Sequence, residues 1–207
     1  MQKNKLFLHV GSHKTGTTAI QRFAYLNRST LRAKGFWYPD FYPIDKSNIK
    51  AHHQLAKSFS GTEGKFSNRQ LTELLNYWEE KCKDCQLFVS AEPFFRLLEK
   101  NINGDWFYRR EAYLSRVADF LSRFEVDAVL VLQRQDFFVT SLYHEHIFAG
   151  LPTGSDSFEQ FLSKMERTNL RYKDNIELMK KKFNNVRIIL YDELISDGNL
   201  CRIFLVG

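Results

Sequence analysis

The chain has 207 residues, 43% of them hydrophobic and 26% charged. That is the balance of one globular domain with a single core, which excludes a disordered chain, a collagen and a disulfide-stapled miniprotein. Lys and Arg number 30 against 24 Asp and Glu, a net charge of +6, which suits an anionic ligand and is too small for a nucleic-acid coat.

In chain order, Lys5 to Val10 reads as a short buried strand and Thr17 to Lys34 as a helix with Ile20, Phe23, Asn27 and Leu31 on one face. Gly35 stands where a helix C-cap glycine belongs, and Phe36 to Pro39 is extended. Ile49 to Phe59 reads as a helix carrying His52 and His53. The next helix starts at Ser67 or Asn68 and keeps Leu71, Leu74, Leu75, Trp78 and Cys82 at helical spacing. Leu87 to Glu92 is a strand stopped by Pro93, and Arg110 to Phe124 a helix with Tyr113, Val117, Phe120, Leu121 and Phe124 inward. Ala128 to Leu132, apolar at every position, reads as a strand covered on both faces. Helices follow over Asp136 to Phe148, Phe158 to Glu166 and Tyr172 to Phe183. Val186 to Tyr191 is another buried strand, and Gly198 to Val206 a last short helix. Strands alternating with helices predict a three-layer α/β fold, a mostly parallel central sheet flanked by helices, with its ligand at the carboxyl ends of the strands.

Cys82, Cys85 and Cys201 are too few for a disulfide framework and fit a reducing compartment. The start shows no secretory signal, and the longest purely apolar run falls far short of the ~18 residues of a membrane span. A cytoplasmic protein is expected, one domain over residues 1–207, cut short at Phe204-Leu205-Val206-Gly207.

Between the first strand and its helix lies Gly11-Ser12-His13-Lys14-Thr15-Gly16-Thr17-Thr18. Glycines let backbone approach an anion, and the first-turn amides and dipole of the helix favour its charge. Lys14 adds a point charge, and Thr17 and Thr18 add hydroxyl donors. A nucleotide triphosphatase loop would place Lys directly after the second glycine, followed by Ser or Thr for magnesium. Here the lysine precedes Gly16, an order that suits one phosphate or sulfate group.

The stretch Leu8 to Gln21, with Leu31-Arg32-Ala33-Lys34-Gly35-Phe36-Trp37-Tyr38-Pro39, resembles the start of the bacterial, carbohydrate-type P-loop sulfotransferases. The resemblance extends through Tyr172 and Tyr191-Asp192-Glu193-Leu194. It implies 3′-phosphoadenosine 5′-phosphosulfate (PAPS) as sulfuryl donor and adenosine 3′,5′-bisphosphate (PAP) as product, without a metal. The acceptor it implies is a hydroxyl or amine on a carbohydrate, glycolipid or small metabolite, with no nucleic-acid partner. Gly11 to Thr18 would hold the 5′-phosphosulfate. An Arg at the end of the strand Ala128 to Leu132 and a Ser one or two turns into the next helix would hold the 3′-phosphate, here Arg134 and Ser141. Counting back from Ser141 by the family's usual spacing lands on Gln133, so either neighbour fills the position. Sulfuryl transfer needs charge stabilisation, from Lys14 and the loop amides, and a base for the acceptor proton. Glu92 at its strand end is the expected base, where relatives carry a Ser-Ser-Glu-like sequence. His53 and His52 are the alternatives, one of the adjacent pair being expected on the surface and one packed.

Other signals carry less. Cys82-Lys83-Asp84-Cys85 sits at a helix C-terminus, where the dipole disfavours a thiolate, and a zinc site would need two further ligands. Tyr143-His144-Glu145-His146 lacks zinc-helix spacing, though its histidines could line an acceptor cleft. Ile188 to Asp192 looks like a magnesium-binding strand end and is the argument for a kinase with an atypical loop. A non-catalytic anion-binding relative is the third reading. Lys180-Lys181-Lys182 and Arg109-Arg110 read as solvated helix faces.

Overall fold

A computed structural model describes residues 3–61, 64–83, 85–165 and 170–196. Five strands form one sheet: β1 (Asn4–Gly11), β2 (Phe36–Trp37), β3 (Gln86–Ser90), β4 (Phe124–Leu132) and β5 (Asn185–Leu190), in the order β2-β3-β1-β4-β5. Every pairing is parallel. The helices are α1 (Thr17–Leu26), α2 (Arg28–Ala33), α3 (His53–Ser58), α4 (Asn68–Lys81), α5 (Pro93–Arg96), α6 (Trp106–Phe120), α7 (Gln135–Phe148), α8 (Phe158–Lys164), α9 (Tyr172–Lys182) and α10 (Tyr191–Ser196). The fold is the three-layer α/β architecture that the alternation predicts.

Strand alternation sorts the two apolar layers. Leu6, Leu8 and Val10 of β1 join Leu87 and Val89 of β3 and Ala128 and Leu130 of β4 against α4, α6 and α9. Phe7, Phe88, Val129 and Val131 point the other way, onto Ile20 and Ala24 of α1 and Leu194 of α10. Ala128 to Leu132 is buried at every position because β4 lies between β1 and β5 with helices over both faces.

Several elements differ from the periodicity reading. The helix expected over 17–34 is two helices broken at Asn27, whose side-chain amide donates to the Phe23 carbonyl at 2.9 Å. The buried face of α1 is Thr17, Ile20, Gln21 and Ala24, and Phe23 is 38% exposed. The helix expected from Ile49 starts at His53, and Pro93 opens a short helix, as its fixed φ allows at a first helical position. The next begins at Trp106 behind an Asp105 N-cap and ends at Phe120, so Phe124 belongs to β4. β5 is an edge strand, with Ile188 40% and Leu190 50% exposed; an apolar run does not reveal whether a layer covers it. Tyr191 begins α10. The helix expected over 198–206, Glu166 and Cys201 lie outside the described residues.

Arg109-Arg110 is not a solvated face. Arg110 is fully buried and donates to the Asn175 side chain and to the Leu97 and Phe94 carbonyls, each at 2.7 Å. Burial draws its guanidinium down to about 10, so it stays charged at neutral pH. Three neutral acceptors fix the end of α5 to α6 and α9, a tertiary role that composition does not announce.

Candidate functional site

The loop from Gly11 to Gly16 leaves the carboxyl end of β1 at a register shift between His9 and Gly11. Its turn needs left-handed backbone at Gly11 (φ 80°), Lys14 (φ 64°) and Gly16 (φ 70°). Glycine takes that region freely, whereas lysine pays roughly 1–2 kcal/mol for it. The loop is pinned from inside: the Ser12 amide donates to the Val131 carbonyl at 2.7 Å, and the Thr15 hydroxyl to the Ser12 carbonyl at 2.8 Å. Ser12 and Thr15 are fully buried. Gly16 caps α1 without a side-chain hydrogen bond, and its carbonyl accepts from the Ala19 and Ile20 amides at 2.9 and 3.1 Å, so the Thr17 and Thr18 amides are the ones that keep the donor capacity a helix start leaves unused. Thr17 is buried and Thr18 exposed. Lys14 stands 3.6 Å from the Glu145 carboxylate on α7.

Glu92 follows β3, at the N-cap of α5 without capping it. A Cβ built on Gly11 would lie 2.7 Å from the Glu92 Cβ and 2.9 Å from its Cα. The loop backbone therefore packs directly on the Cα and Cβ of Glu92, which only glycine permits. Glu92 Oε2 accepts from His53 Nε2 at 2.8 Å and from the Gln21 amide at 2.9 Å. Burial alone would raise the Glu92 carboxyl; the His53 and Gln21 hydrogen bonds outweigh it and hold the group down at about 2. With Nε2–H given to Glu92, His53 keeps Nδ1 as an acceptor on a side chain 39% exposed.

The two adjacent histidines divide as expected. His52 is fully buried: its Nδ1 accepts from the Ser90 amide and its Nε2 donates to the Pro39 carbonyl, both at 3.1 Å. Burial drives it down to about 3, so it is a neutral structural clamp. His9 is also buried, bonded to the Ser90 hydroxyl at 2.8 Å and pushed down to about 4.

Two of the crevices among the described residues are lined by charged and polar groups of this edge of the sheet. One, of about 280 Å³, is lined by His13, Arg96, His146 and Lys164 with Phe138 and Phe161. The buried Nε2 of His13 has no hydrogen-bond partner among the described residues, and burial followed by the Arg96 charge lowers the ring to about 4. The other, about 510 Å³, runs along the ends of β4 and β5 past Gln133, Arg134, Asp136, Tyr172 and Asp192. Arg134 is 65% exposed there, donates to Asp136 at 2.8 Å and stacks on Phe137 at 4.7 Å. Gln133 turns inward, its buried Oε1 without a partner among the described residues. Tyr172 reaches the loop from α9: burial pushes its hydroxyl up to about 12, with Ser12 beside it acting the other way. Ser141, half-buried on α7, is not in the lining of the crevice that holds Arg134.

The tertiary structure thus joins Gly11 to Thr18, Glu92 and His53 at one place and leaves Arg134 and Ser141 apart. Gln21 and Tyr172, which the resemblance spans without a role, and Arg96, which no motif names, belong to the site as well. For Gln21 the signal was present, a polar residue on the buried face of α1, four residues after Thr17. Arg96 has no local signal.

The chain matches no protein-family model and no curated protein. Among solved structures it is distantly similar to a chain of the PezAT chromosomal toxin-antitoxin system of Streptococcus pneumoniae. The two are 13% identical, the match covers 93% of this chain and 70% of that one, and the TM-score is 0.39. Overlap at that level carries no functional argument. Among the described residues no helix is long and apolar enough to cross a membrane.

Proposed function

We propose that this chain is a PAPS-dependent sulfotransferase. The observation that carries the reading is the junction of an anion cradle, Gly11 to Thr18, with the Glu92–His53 pair across a contact too tight for any Cβ at position 11. The donor's 5′-phosphosulfate fits the cradle: backbone amides at the start of α1, the Thr17 and Thr18 hydroxyls, and Lys14 as a point charge. PAPS supplies an activated sulfuryl group, and these donors stabilise charge that builds on its oxygens during transfer. A carboxylate held at about 2 is a weak proton acceptor on its own. The reading therefore gives the proton to His53 Nδ1, with Glu92 holding the ring in that tautomer and compensating the imidazolium, as carboxylates do for catalytic histidines elsewhere. Gln21 holds the carboxylate in turn.

The 3′-phosphate is assigned to Arg134, which would exchange Asp136 for the ligand. The acceptor, a small-molecule or carbohydrate hydroxyl, would occupy the crevice beside His13. A cytoplasmic setting accompanies the reading. Calorimetric titration with PAP, against ATP with Mg²⁺, tests it. Metal-free PAP binding that disappears in Lys14→Ala is expected. Metal-dependent ATP binding without PAP binding would replace the reading with a kinase.

A further inference from the structure

At the opposite end of the sheet, Cys82 closes α4 and Cys85 immediately precedes β3. Cys82 is fully buried and Cys85 half-buried, and their sulfurs lie 3.8 Å apart. Sulfurs already in van der Waals contact need close by less than about 2 Å to bond. The helix C-terminus opposes a thiolate there, but a cation is built in. Arg32 Nη1 donates to Cys85 Sγ at 2.7 Å, Nη2 to the Lys81 carbonyl at 2.6 Å, and the guanidinium stacks on Trp37 at 5.1 Å. Cys85 also opens onto a groove of about 430 Å³ shared with Lys3, Lys5 and Lys34. A thiol facing fixed and mobile cations suits reaction with an anionic partner. Cys82, whose thiol burial and then Cys85 push up to about 12, is placed to react second.

We propose that Cys85 and Cys82 form a thiol–disulfide exchange site for an anionic low-molecular-weight disulfide of the glutathione class, with Cys85 attacking and Cys82 resolving. The Cys85 thiolate attacks one sulfur of the reagent, the reagent's S–S bond breaks, and one reduced thiol leaves. Cys82 then loses its proton to solvent and attacks Cys85 Sγ, displacing the second thiol. The protein dithiol is oxidised by two electrons, and one reagent disulfide becomes two thiols. The site is independent of the sulfotransferase reading.

The test uses the full chain carrying Cys201→Ser, so that Cys82 and Cys85 are the thiols present, reacted with glutathione disulfide and followed by intact mass and peptide mapping. This background protein should lose two hydrogens and retain no adduct, while Cys82→Ala should retain one glutathione on Cys85. Lys5→Glu with Lys34→Glu should slow the reaction about tenfold with glutathione disulfide and leave it unchanged with neutral hydroxyethyl disulfide. If Cys82→Ala fails to fold, acid-quenched mixed disulfide from the background protein is mapped instead, and the adduct must sit on Cys85. No reaction of the folded protein under conditions where the unfolded chain reacts would overturn the proposal. An adduct on Cys82, or equal slowing with both reagents, would do so as well.

Discussion

Two regions meet at the same carboxyl edge of one sheet, yet they are built differently. On the β1–β3 side the groups around Glu92 are held: the loop is pinned to Val131, Gly11 packs on Glu92, and Glu92 takes hydrogen bonds from His53 and Gln21. On the β4–β5 side Arg134 is exposed, held by Asp136 and the Phe137 ring, beside an edge strand whose Ile188 and Leu190 are open to solvent. The difference follows from sheet position. β1 is central and its loop lies under helices, where buried polar groups are as a rule satisfied. The β4–β5 end has one neighbour fewer, so its side chains move at little cost. Under the proposed function, the geometry needed for chemistry is preset on one side, while the other is left to adapt to the donor.

The largest effect that would break this contrast is catalytic. Under the proposed reading, Glu92→Gln and His53→Ala should each lower turnover by roughly a hundredfold or more, with PAP affinity unchanged by calorimetry. Unchanged turnover in both would show that the ordered side does no chemistry. Next comes Gly11→Ala, which forces a side chain into left-handed backbone and into Glu92. A loss of about 2–5 kcal/mol in denaturant melts is expected, and a variant as stable as wild type would refute the tight junction.

Acid should strike the ordered side too. His9 and His13, ordinarily 6.5, stand at about 4 and His52 at about 3, all lowered chiefly by burial. Groups depressed on folding bind the extra protons only when unfolded. Their stabilisation is thus complete above pH 6.5 and lost as pH falls toward 4 and then 3, with a ceiling of about 1.4 kcal/mol per pH unit for each. Glu92 adds a second limb between 4.5 and about 2, in the same direction. Urea midpoints from pH 7 to pH 4.5 should fall steadily; a flat profile would mean these histidines are charged in the native state. The smallest effect belongs to the open side. Arg134→Ala should leave the melting temperature unchanged, since an exposed ion pair contributes little, while weakening PAP binding at least tenfold. Loss of binding in Gln133→Ala but not Arg134→Ala would reassign the 3′-phosphate.

By itself the sequence determined the layer order and the cradle. Alternating strands and helices allow few architectures, and the spacing of Gly11, Lys14, Gly16 and Thr17 is local, so a strand–turn–helix brings those residues together without help from the rest of the chain. It also placed one of His52 and His53 inside and one outside. Only the tertiary structure decided that Glu92 meets His53 across 39 residues and Gln21 across 71. It also made Arg110 a buried clamp and left β5 at the edge. Those outcomes depend on strand order and on which helix covers which face, quantities that no local pattern encodes, because a side chain's partners are chosen by the chain's return path and not by its neighbours in sequence.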